Sequence, residues 1–379
     1  MIKFLLIYLT VYSLVHYYLL HKTAMLLDLG TKARWGLVFF MLLMILAPIL
    51  IRVAENMGHK AGMEQFAYLS FTWMGLLFLF IIIFAVLDTA RFGLFLVDKI
   101  GWMKVSLPPL NPKAVFTGIA VLVLGIYGYG LYEARAIRTE HVTIRSPELS
   151  EETGRIRLAQ ISDVHLGLIV RTARLEKILT AVEEARPDVF FVTGDLVDGQ
   201  LDDIGAMAAM FSRIAPPYGK FAITGNHEFY AGLDSSLDFI RHAGFTTLRN
   251  RSVRVGGINI VGVDDGAAER FQVQRQPLEP ELLANLPPDG FTILLKHRPV
   301  IDAQSAGLFD LQLSGHTHKG QIFPFNILTY IFYPRPSGLS VLDTGARLYL
   351  SRGTGTWGPP IRFLSPPEVT IIDLVPEMN

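Results

Sequence analysis

Carboxylate, amide and imidazole side chains follow five apolar segments of the chain, each at the point where the segment ends. They are Asp163, His165, Asp195, Asn226, His297, His316 and His318. Ligands bind beyond the carboxyl ends of the strands in an open α/β sheet, so we expect these side chains to meet at one rim. Their oxygen and nitrogen donors suit Mn²⁺, iron or Zn²⁺. Seven donors exceed the needs of one ion and indicate two divalent metal ions, with Asp195 as the natural bridge.

Two metal ions at such a rim are typical of phosphoryl transfer to water. The ions clamp the attacking and leaving oxygens and lower the pKa of the water between them, which supplies hydroxide at neutral pH. As an alternative, Asp163, Asp195 and Asn226 could each cap a following helix. Their association with histidines favours the metal interpretation. The chain has no cysteine, which excludes a thiolate metal site and a cysteine nucleophile.

The segments that position these side chains alternate between strand and helix patterns. RIRLAQIS, DVFFVTGD and KFAITGNHE indicate strands, whereas VRTARLEKILTAVEEARP and LDSSLDFIRHAG have helical apolar spacing. Further strands are predicted at 258–263, 291–296, 310–314, 347–351 and 369–374. This order predicts an α/β domain in which helices cover a sandwich of two sheets.

The order of the motifs resembles that of a known family. D-x-H, G-D, G-N-H-E, a lone histidine and G-H-x-H follow one another within residues 153–376, as in the calcineurin-like metallophosphoesterases. The tail SRGTGTWGPPIRFLSPPEVTIIDL is similar to that of a bacterial, membrane-associated branch of the family. The resemblance implies a four-layer αββα sandwich that hydrolyses a phosphate ester with a metal-bridging hydroxide. Lys319 replaces a glycine expected after G-H-T-H, a change that touches no ligand.

The resemblance also implies a role for each matching residue. One metal would be held by Asp163, His165 and His318. The second would be held by Asn226, His297 and His316, with Asp195 as the bridge. His227 matches the catalytic histidine, which contacts the phosphate and helps to protonate the leaving oxygen, and Glu228 is expected to orient it. Asp198 and Asp264 lie near the rim, either as partners of these residues or as turn residues.

The first 132 residues differ in composition from the rest. They carry ten basic and five acidic side chains, of 34 of each kind in the chain. Four apolar stretches approach the roughly 20 residues that a transmembrane helix needs, namely Phe4 to Leu20, Trp35 to Ile51, Phe66 to Leu87 and Ala114 to Tyr132. We therefore predict a membrane region with about four transmembrane helices over 1–132, a polar linker over 133–152 and the metallophosphoesterase domain over 153–379.

Four spans would place both chain ends on the same side of the cell membrane. The basic residues are almost evenly divided between the two sets of loops, and a small excess opposite the C-terminal domain favours an extracytoplasmic domain. The balance of basic and acidic residues does not indicate a nucleic acid partner. The expected partners are the lipid bilayer and a phosphate-ester substrate, either a soluble phosphodiester or a lipid-linked phosphate or pyrophosphate. A non-enzymatic membrane scaffold or receptor with a metal-binding sandwich is the alternative.

One apolar segment follows the G-H-T-H motif directly. Residues 322–334 read IFPFNILTYIFYP, an unusual composition for a loop beside a metal site. Two interpretations are open. The segment is either a β-hairpin packed on the core or a lip that faces the membrane and admits a lipid chain.

Overall fold

The computed structural model describes residues 2–57, 62–101, 110–149, 151–152, 154–199, 204–273, 277–287 and 289–377. The chain divides into two compact units. One comprises Met1–Gly130 with Gly358–Pro360, and the other comprises Leu131–Trp357 with Ile361–Asn379.

The N-terminal region is helical, as its apolar composition predicts. Its helices are α1 (Ile2–Leu27), α2 (Thr31–Asn56), α3 (Met63–Lys99) and α4 (Pro112–Glu133). Among the described residues, three segments are long and apolar enough to cross a membrane, namely Thr31–Glu55, Met63–Lys99 and Pro112–Glu133. The stretch Phe4 to Leu20 also forms a helix, α1, but is outside this set, so the four-span arrangement stays a prediction.

Helix α3 continues past the predicted span Phe66 to Leu87 and carries polar side chains that bind α1. The Asp88 carboxylate accepts hydrogen bonds from Tyr18 Oη at 2.6 Å and Lys22 Nζ at 2.7 Å. Trp73 Nε1 donates to His16 Nε2 at 2.9 Å. These five polar side chains of α1 and α3 therefore bind one another within this unit.

The second unit contains two six-stranded sheets among the described residues. The first has the order β1 (Arg138–Ser146), β12 (Glu368–Pro376), β2 (Ile156–Ile161), β3 (Val189–Thr193), β4 (Lys220–Ile223) and β5 (Thr246–Thr247). The second has the order β10 (Gly338–Val341), β11 (Arg347–Leu350), β9 (Leu311–Ser314), β8 (Thr292–Leu295), β7 (Ile258–Gly262) and β6 (Arg251–Val255). The strands β2 to β5 are parallel, as are β7, β8, β9 and β11.

Helices cover both outer faces of the sandwich. The helices described in this unit are α5 (Thr172–Ala185), α6 (Ile204–Met210), α7 (Asn226–Ala231), α8 (Leu233–His242), α9 (Ala267–Arg270), α10 (Glu279–Ala284) and α11 (Phe325–Phe332), with short 3-10 turns at Phe211–Arg213 and His318–Gly320. Phe190 packs among α5 and α8 residues, whereas its neighbour Phe191 packs between the sheets. Leu282 and Leu283 of α10 cover the second sheet. The predicted αββα layering is confirmed.

Two segments fold differently from the sequence interpretation. Arg138–Ser146, within the expected linker 133–152, is strand β1 and pairs in parallel with β12. Its alternation places Ile144 in the core between the sheets. The β-hairpin interpretation of 322–334 is wrong, because Phe325–Phe332 is helix α11 and none of its residues is buried. Its apolar side chains recur with helical spacing, and they do not reach the core.

Candidate metal centre

Six of the seven side chains singled out in the sequence meet at the carboxyl ends of the strands, all but that of Asn226. Asp163 and His165 follow β2, Asp195 follows β3, and Asn226 begins α7 after β4. Three clusters, each made of three carboxylate or imidazole side chains, have ligand atoms that lie within 4.8 Å of one another in the cluster. Positive φ angles, which non-glycine residues rarely adopt, occur at Asp163, His165, Asp195, His316 and His318. Strained backbone of this kind concentrates at functional sites, where the surrounding fold maintains it.

The first group contains Asp163, His165 and His318. The Nε2 atoms of His165 and His318 lie 3.0 Å apart, and His318 Nε2 lies 3.4 Å from Asp163 Oδ1. Both oxygens of Asp163 also accept a hydrogen bond from the His316 backbone N–H at 3.0 Å. The three donors converge from β2 and from the loop after β9, so they can enclose one cation.

The second group contains Asp195, His297 and His316. His297 Nε2 lies 3.1 Å from Asp195 Oδ2 and 3.2 Å from His316 Nδ1. The other ring nitrogen of His297, Nδ1, lies 2.8 Å from the Thr193 carbonyl oxygen and can only donate to it. That bond directs Nε2 at the group, the arrangement found in metal-binding histidines.

The Asp195 carboxylate stands between the two groups. Its Oδ2 atom lies 3.9 Å from His165 Nε2 as well as 3.1 Å from His297 Nε2. Its Oδ1 atom accepts a hydrogen bond from the His227 backbone N–H at 2.8 Å. Burial would raise the pKa of Asp195, but the neighbouring His297 and His227 outweigh it and hold that pKa well below the usual value. Asp195 is therefore an ionised candidate ligand within reach of both groups.

The chemistry of the donors fits divalent cations. Asn226 Oδ1 is buried without a hydrogen-bond partner among the described residues, and a cation would satisfy this oxygen. Burial, reinforced by His297, lowers the pKa of His316 to about 3, and burial also holds the pKa of His318 well below its usual value. Both rings are thus neutral at pH 7, the form that binds a metal.

His227 lies at the edge of the site with a carboxylate partner of its own. Its Nδ1 atom is 2.5 Å from Asp198 Oδ1, and its side chain is 13% exposed. Burial disfavours the imidazolium, but Asp195 and Asp198 outweigh it and raise the pKa of His227 to about 9. At neutral pH the ring is a proton donor with an open edge.

The expectation that Glu228 orients His227 is wrong, because the Glu228 carboxylate has other hydrogen-bond partners. The Glu228 carboxylate instead accepts hydrogen bonds from the backbone N–H groups of Asp195, Leu196, Val197 and Gly225, at 2.6–3.2 Å. It therefore joins the loops after β3 and β4 and holds Asp195 in place. The contact that orients His227 comes from Asp198, which is thus a partner of a site residue, one of the two roles expected for it. Asp264 instead binds Arg249 at 2.8 Å and Thr224 at 2.8 Å.

Comparison with known proteins agrees with this geometry. A family model described as calcineurin-like phosphoesterase matches residues 156–320. An uncharacterized metallophosphoesterase of Aquifex aeolicus is 40% identical over 259 residues, which cover 68% of this chain and 97% of the relative. This chain belongs to the calcineurin-like phosphoesterase family. A Danio rerio transmembrane protein with metallophosphoesterase domain is 31% identical over 274 residues, covering 69% of this chain and 62% of the relative.

The phosphoesterase also shares a distant likeness with a solved 5′-nucleotidase precursor from Thermus thermophilus, at 18% identity and a TM-score of 0.34 over 58% of this chain and 54% of that one. Membership of the family makes the chain a metal-dependent phosphoesterase, a hydrolase of ester bonds, and removes support from the non-enzymatic scaffold. Three apolar helices and the named transmembrane relative indicate membrane association.

Two residues beside the candidate metal centre of this phosphoesterase belong to none of the five motifs. Tyr333 Oη lies 3.1 Å from His316 Nε2, and Arg362 Nη2 lies 3.2 Å from His318 Nδ1. Arg362 is fully buried and also donates to the carbonyl oxygens of Gly355 and Arg352, at 2.8 Å and 2.7 Å. In the sequence, Arg362 is marked only by its position in the tail that resembles the membrane-associated branch of the family.

Proposed function

We propose that this phosphoesterase is a membrane-anchored enzyme that uses two divalent metal ions to hydrolyse a phosphodiester or a lipid-linked phosphate or pyrophosphate. The observation that carries the proposal is the position of Asp195, whose Oδ2 atom lies 3.9 Å from His165 and 3.1 Å from His297. One carboxylate within reach of both groups is what a paired metal site requires.

The first ion would be held by Asp163, His165 and His318, and the second by Asn226, His297 and His316, with Asp195 common to both. Such ions would neutralise phosphate charge and lower the pKa of a water molecule between them. The oxygen and imidazole donors favour Mn²⁺, iron or Zn²⁺.

The chain's own acid for the reaction is His227. Its ring is held by Asp198 through Nδ1, which leaves Nε2 to donate a proton to the leaving oxygen of the substrate. Glu228 acts through the backbone and keeps the Asp195 loop against α7. We assign positioning roles to Asp198 and Glu228 and the proton transfer to His227.

We further propose that the helical region crosses the membrane several times and that the catalytic unit is extracytoplasmic. Three sufficiently apolar helices and the distribution of basic residues support this arrangement. The chain has no cysteine, so Asp238→Cys on an exposed surface gives a single label site. A membrane-impermeant maleimide should label it in intact cells. Labelling only after lysis would place the catalytic unit inside.

The proposed chemistry is tested on the purified full chain with bis(p-nitrophenyl) phosphate and p-nitrophenyl phosphate. The protein is stripped of metal and then supplied with Mn²⁺, Zn²⁺, Fe²⁺ or Mg²⁺. Hydrolysis should return with metal and fall about a hundredfold or more in His227→Ala. The exposed His242, which is outside the metal groups, gives the matched control His242→Ala. Equal activity of His227→Ala and His242→Ala would refute the role of His227.

A further inference from the structure

Helix α11 presents large apolar side chains to solvent. Phe325, Ile327, Leu328, Tyr330, Ile331 and Phe332 are all exposed, with Ile331 at 68% and Phe332 at 71%. The half-buried Asn326, Thr329 and Tyr333 form the face toward the domain. A contiguous apolar surface of this kind marks an interaction site in a folded protein.

The helix is fixed to the loop that carries the metal-binding histidines. Gly320 packs so closely on it that an added Cβ would overlap the backbone of Asn326. At the other end of α11, Tyr333 donates its backbone N–H to Thr329, and its hydroxyl lies 3.1 Å from His316 Nε2. The apolar surface therefore has a fixed position beside the proposed second metal.

A second apolar side chain lies beside the proposed proton donor. The ring of Trp357 is 5.8 Å from that of His227, centroid to centroid, and is 54% exposed. Gln321 holds the Trp357 backbone through two hydrogen bonds of 2.9 Å. The Trp357 ring thus adjoins the site at His227, and the helix that carries the apolar surface is joined to the site at His316 through Tyr333.

A cavity of about 600 Å³ lies along α11. Ile327, Tyr330 and Ile331 line it together with Lys319 and Arg335. Within the part of the chain that the structure describes, no carboxylate forms an ion pair with Lys319 or Arg335, whereas Arg352 at the same cavity binds Glu368 at 2.6 Å. The cavity therefore combines apolar walls with two cations that remain available to an anion.

We propose that α11 lies in the surface of the bilayer and that the substrate is an anionic amphiphile drawn from it. This inference rests on the phosphoesterase function proposed above and specifies its substrate class. Phe325, Leu328 and Phe332, which share one helix face and do not line the cavity, contact the lipid chains. The cavity receives an apolar chain of the substrate, and Lys319 and Arg335 contact its phosphate group.

Lipid is the occupant that the rest of the chain favours. The same chain carries three helices that are apolar and long enough to cross a membrane. An enzyme anchored by them lies next to a bilayer. Anionic lipid head groups complement the cations at the base of the helix. An amphipathic helix with cations beside its apolar face is typical of proteins that lie in the lipid interface.

The substrate class is tested with two phosphodiesters that differ only in chain length, ethyl p-nitrophenyl phosphate and hexadecyl p-nitrophenyl phosphate. The full chain is assayed in nanodiscs of phosphatidylcholine and phosphatidylglycerol, and the measured quantity is the long-to-short ratio of kcat/KM. Changing Ile327 and Ile331, which line the cavity, together to Ser should lower this ratio about tenfold, because two large apolar contacts with the substrate chain are lost. Leu308→Ser, at an exposed apolar residue outside α11, should not change it. An unchanged ratio in the double variant overturns the proposal.

The cations are tested with the same long-chain probe. Changing Lys319 and Arg335 together to Gln should raise its KM about tenfold, because two charges that contact the phosphate are removed. An unchanged KM would remove the cations from the substrate site and overturn that part of the proposal.

A measurement independent of hydrolysis separates this inference from the proposed function. The cysteine-free chain allows Phe332→Cys and the control Leu308→Cys to be labelled with a nitrobenzoxadiazole fluorophore. In nanodiscs the label at position 332 should be quenched by spin-labelled lipid and protected from iodide, and the label at position 308 should behave oppositely. Iodide quenching of both labels overturns the inference even if the enzyme hydrolyses the short probe. If neither probe is hydrolysed with metal present, the proposed function fails and the labels alone decide the position of α11.

Discussion

The Oδ1 atom of Asp198 lies 2.5 Å from Nδ1 of His227 and 3.6 Å from Nδ1 of His165. One carboxylate therefore faces both the proposed proton donor and a proposed metal ligand. Its short contact fixes the His227 ring, and its charge favours the imidazolium. Asp198 thus contacts both the proton donor and a residue of the first metal group, although it belongs to neither.

This contact predicts a pH effect of Asp198→Asn. Asp195 and Asp198 raise the pKa of His227 to about 9 against the effect of burial, so the ring is a proton donor below that pH and loses the proton as pH rises through it. Without the Asp198 charge the pKa falls, and the alkaline decline of kcat should move down by about one pH unit. Bound metals affect the His227 pKa equally in the original chain and in Asp198→Asn. The quantity to measure is therefore the displacement between the pH profiles of kcat of the two proteins. Asp238→Asn, at an exposed carboxylate, is the control.

Much of the site could be predicted because its signals are local. Asp163, Asp195 and His316 each follow a run of apolar residues that forms a buried strand, and parallel strands bring such positions to one rim. The order of the motifs then paired the ligands, and the structure likewise brings Asp163 together with His165 and His318, and His297 together with His316.

The parts that could not be predicted depend on long-range packing. Glu228 follows His227 directly, which suggested a contact between the two side chains, yet its carboxylate turns inward to four backbone N–H groups. Asp198 reaches His227 only because the loop after β3 returns toward α7. In α11, apolar composition left both a buried hairpin and a membrane-facing lip open, because composition alone does not reveal that the side chains face outward.

Glu228→Gln should destabilise the enzyme. A carboxylate accepts four N–H groups here, whereas an amide has one oxygen and places its own N–H₂ against donors. We expect a loss of about 2 kcal/mol in the free energy of unfolding, which lowers the Tm of the full chain in detergent by about 5 °C. Glu183→Gln, at a half-exposed carboxylate on α5, should leave the Tm within about 1 °C. Equal Tm values for the two variants would contradict the role assigned to Glu228.

The number of metal ions that the protein retains should depend on which ligand is removed. Replacing His318 by Ala removes a donor of the first group only, so the protein should retain one ion of two. Asp195→Ala removes the shared carboxylate and should weaken both, because Asp195 approaches His165 and His297 alike. Plasma mass spectrometry after dialysis against a weak chelator measures the stoichiometry. Retention of both ions by Asp195→Ala would disprove the bridging position.

A small residue at position 315 is required for steric reasons. A Cβ added to Gly315 would overlap Ser162 Oγ and Asp163 Oδ2, so Gly315→Ala should displace Asp163 although no ligand is removed. We expect loss of metal from the first group and a Tm lower by about 5 °C. Gly307→Ala, where nothing lies within 4 Å of the added Cβ, is the matched control and should retain both the metal and the Tm.

Tyr333→Phe should weaken metal binding by the second group while keeping the aromatic ring beside His316. The hydroxyl lies 3.1 Å from His316 Nε2, and a partner on that nitrogen fixes the ring so that Nδ1 faces Asp195 and His297. Partners of this kind change metal affinity by about tenfold or more when they are removed. The concentration of Mn²⁺ that gives half-maximal hydrolysis of bis(p-nitrophenyl) phosphate should therefore rise about tenfold in Tyr333→Phe. Tyr218→Phe, at a partly exposed tyrosine outside the metal groups, should not change it. If the two variants require the same Mn²⁺ concentration, the Tyr333 hydroxyl does not orient His316.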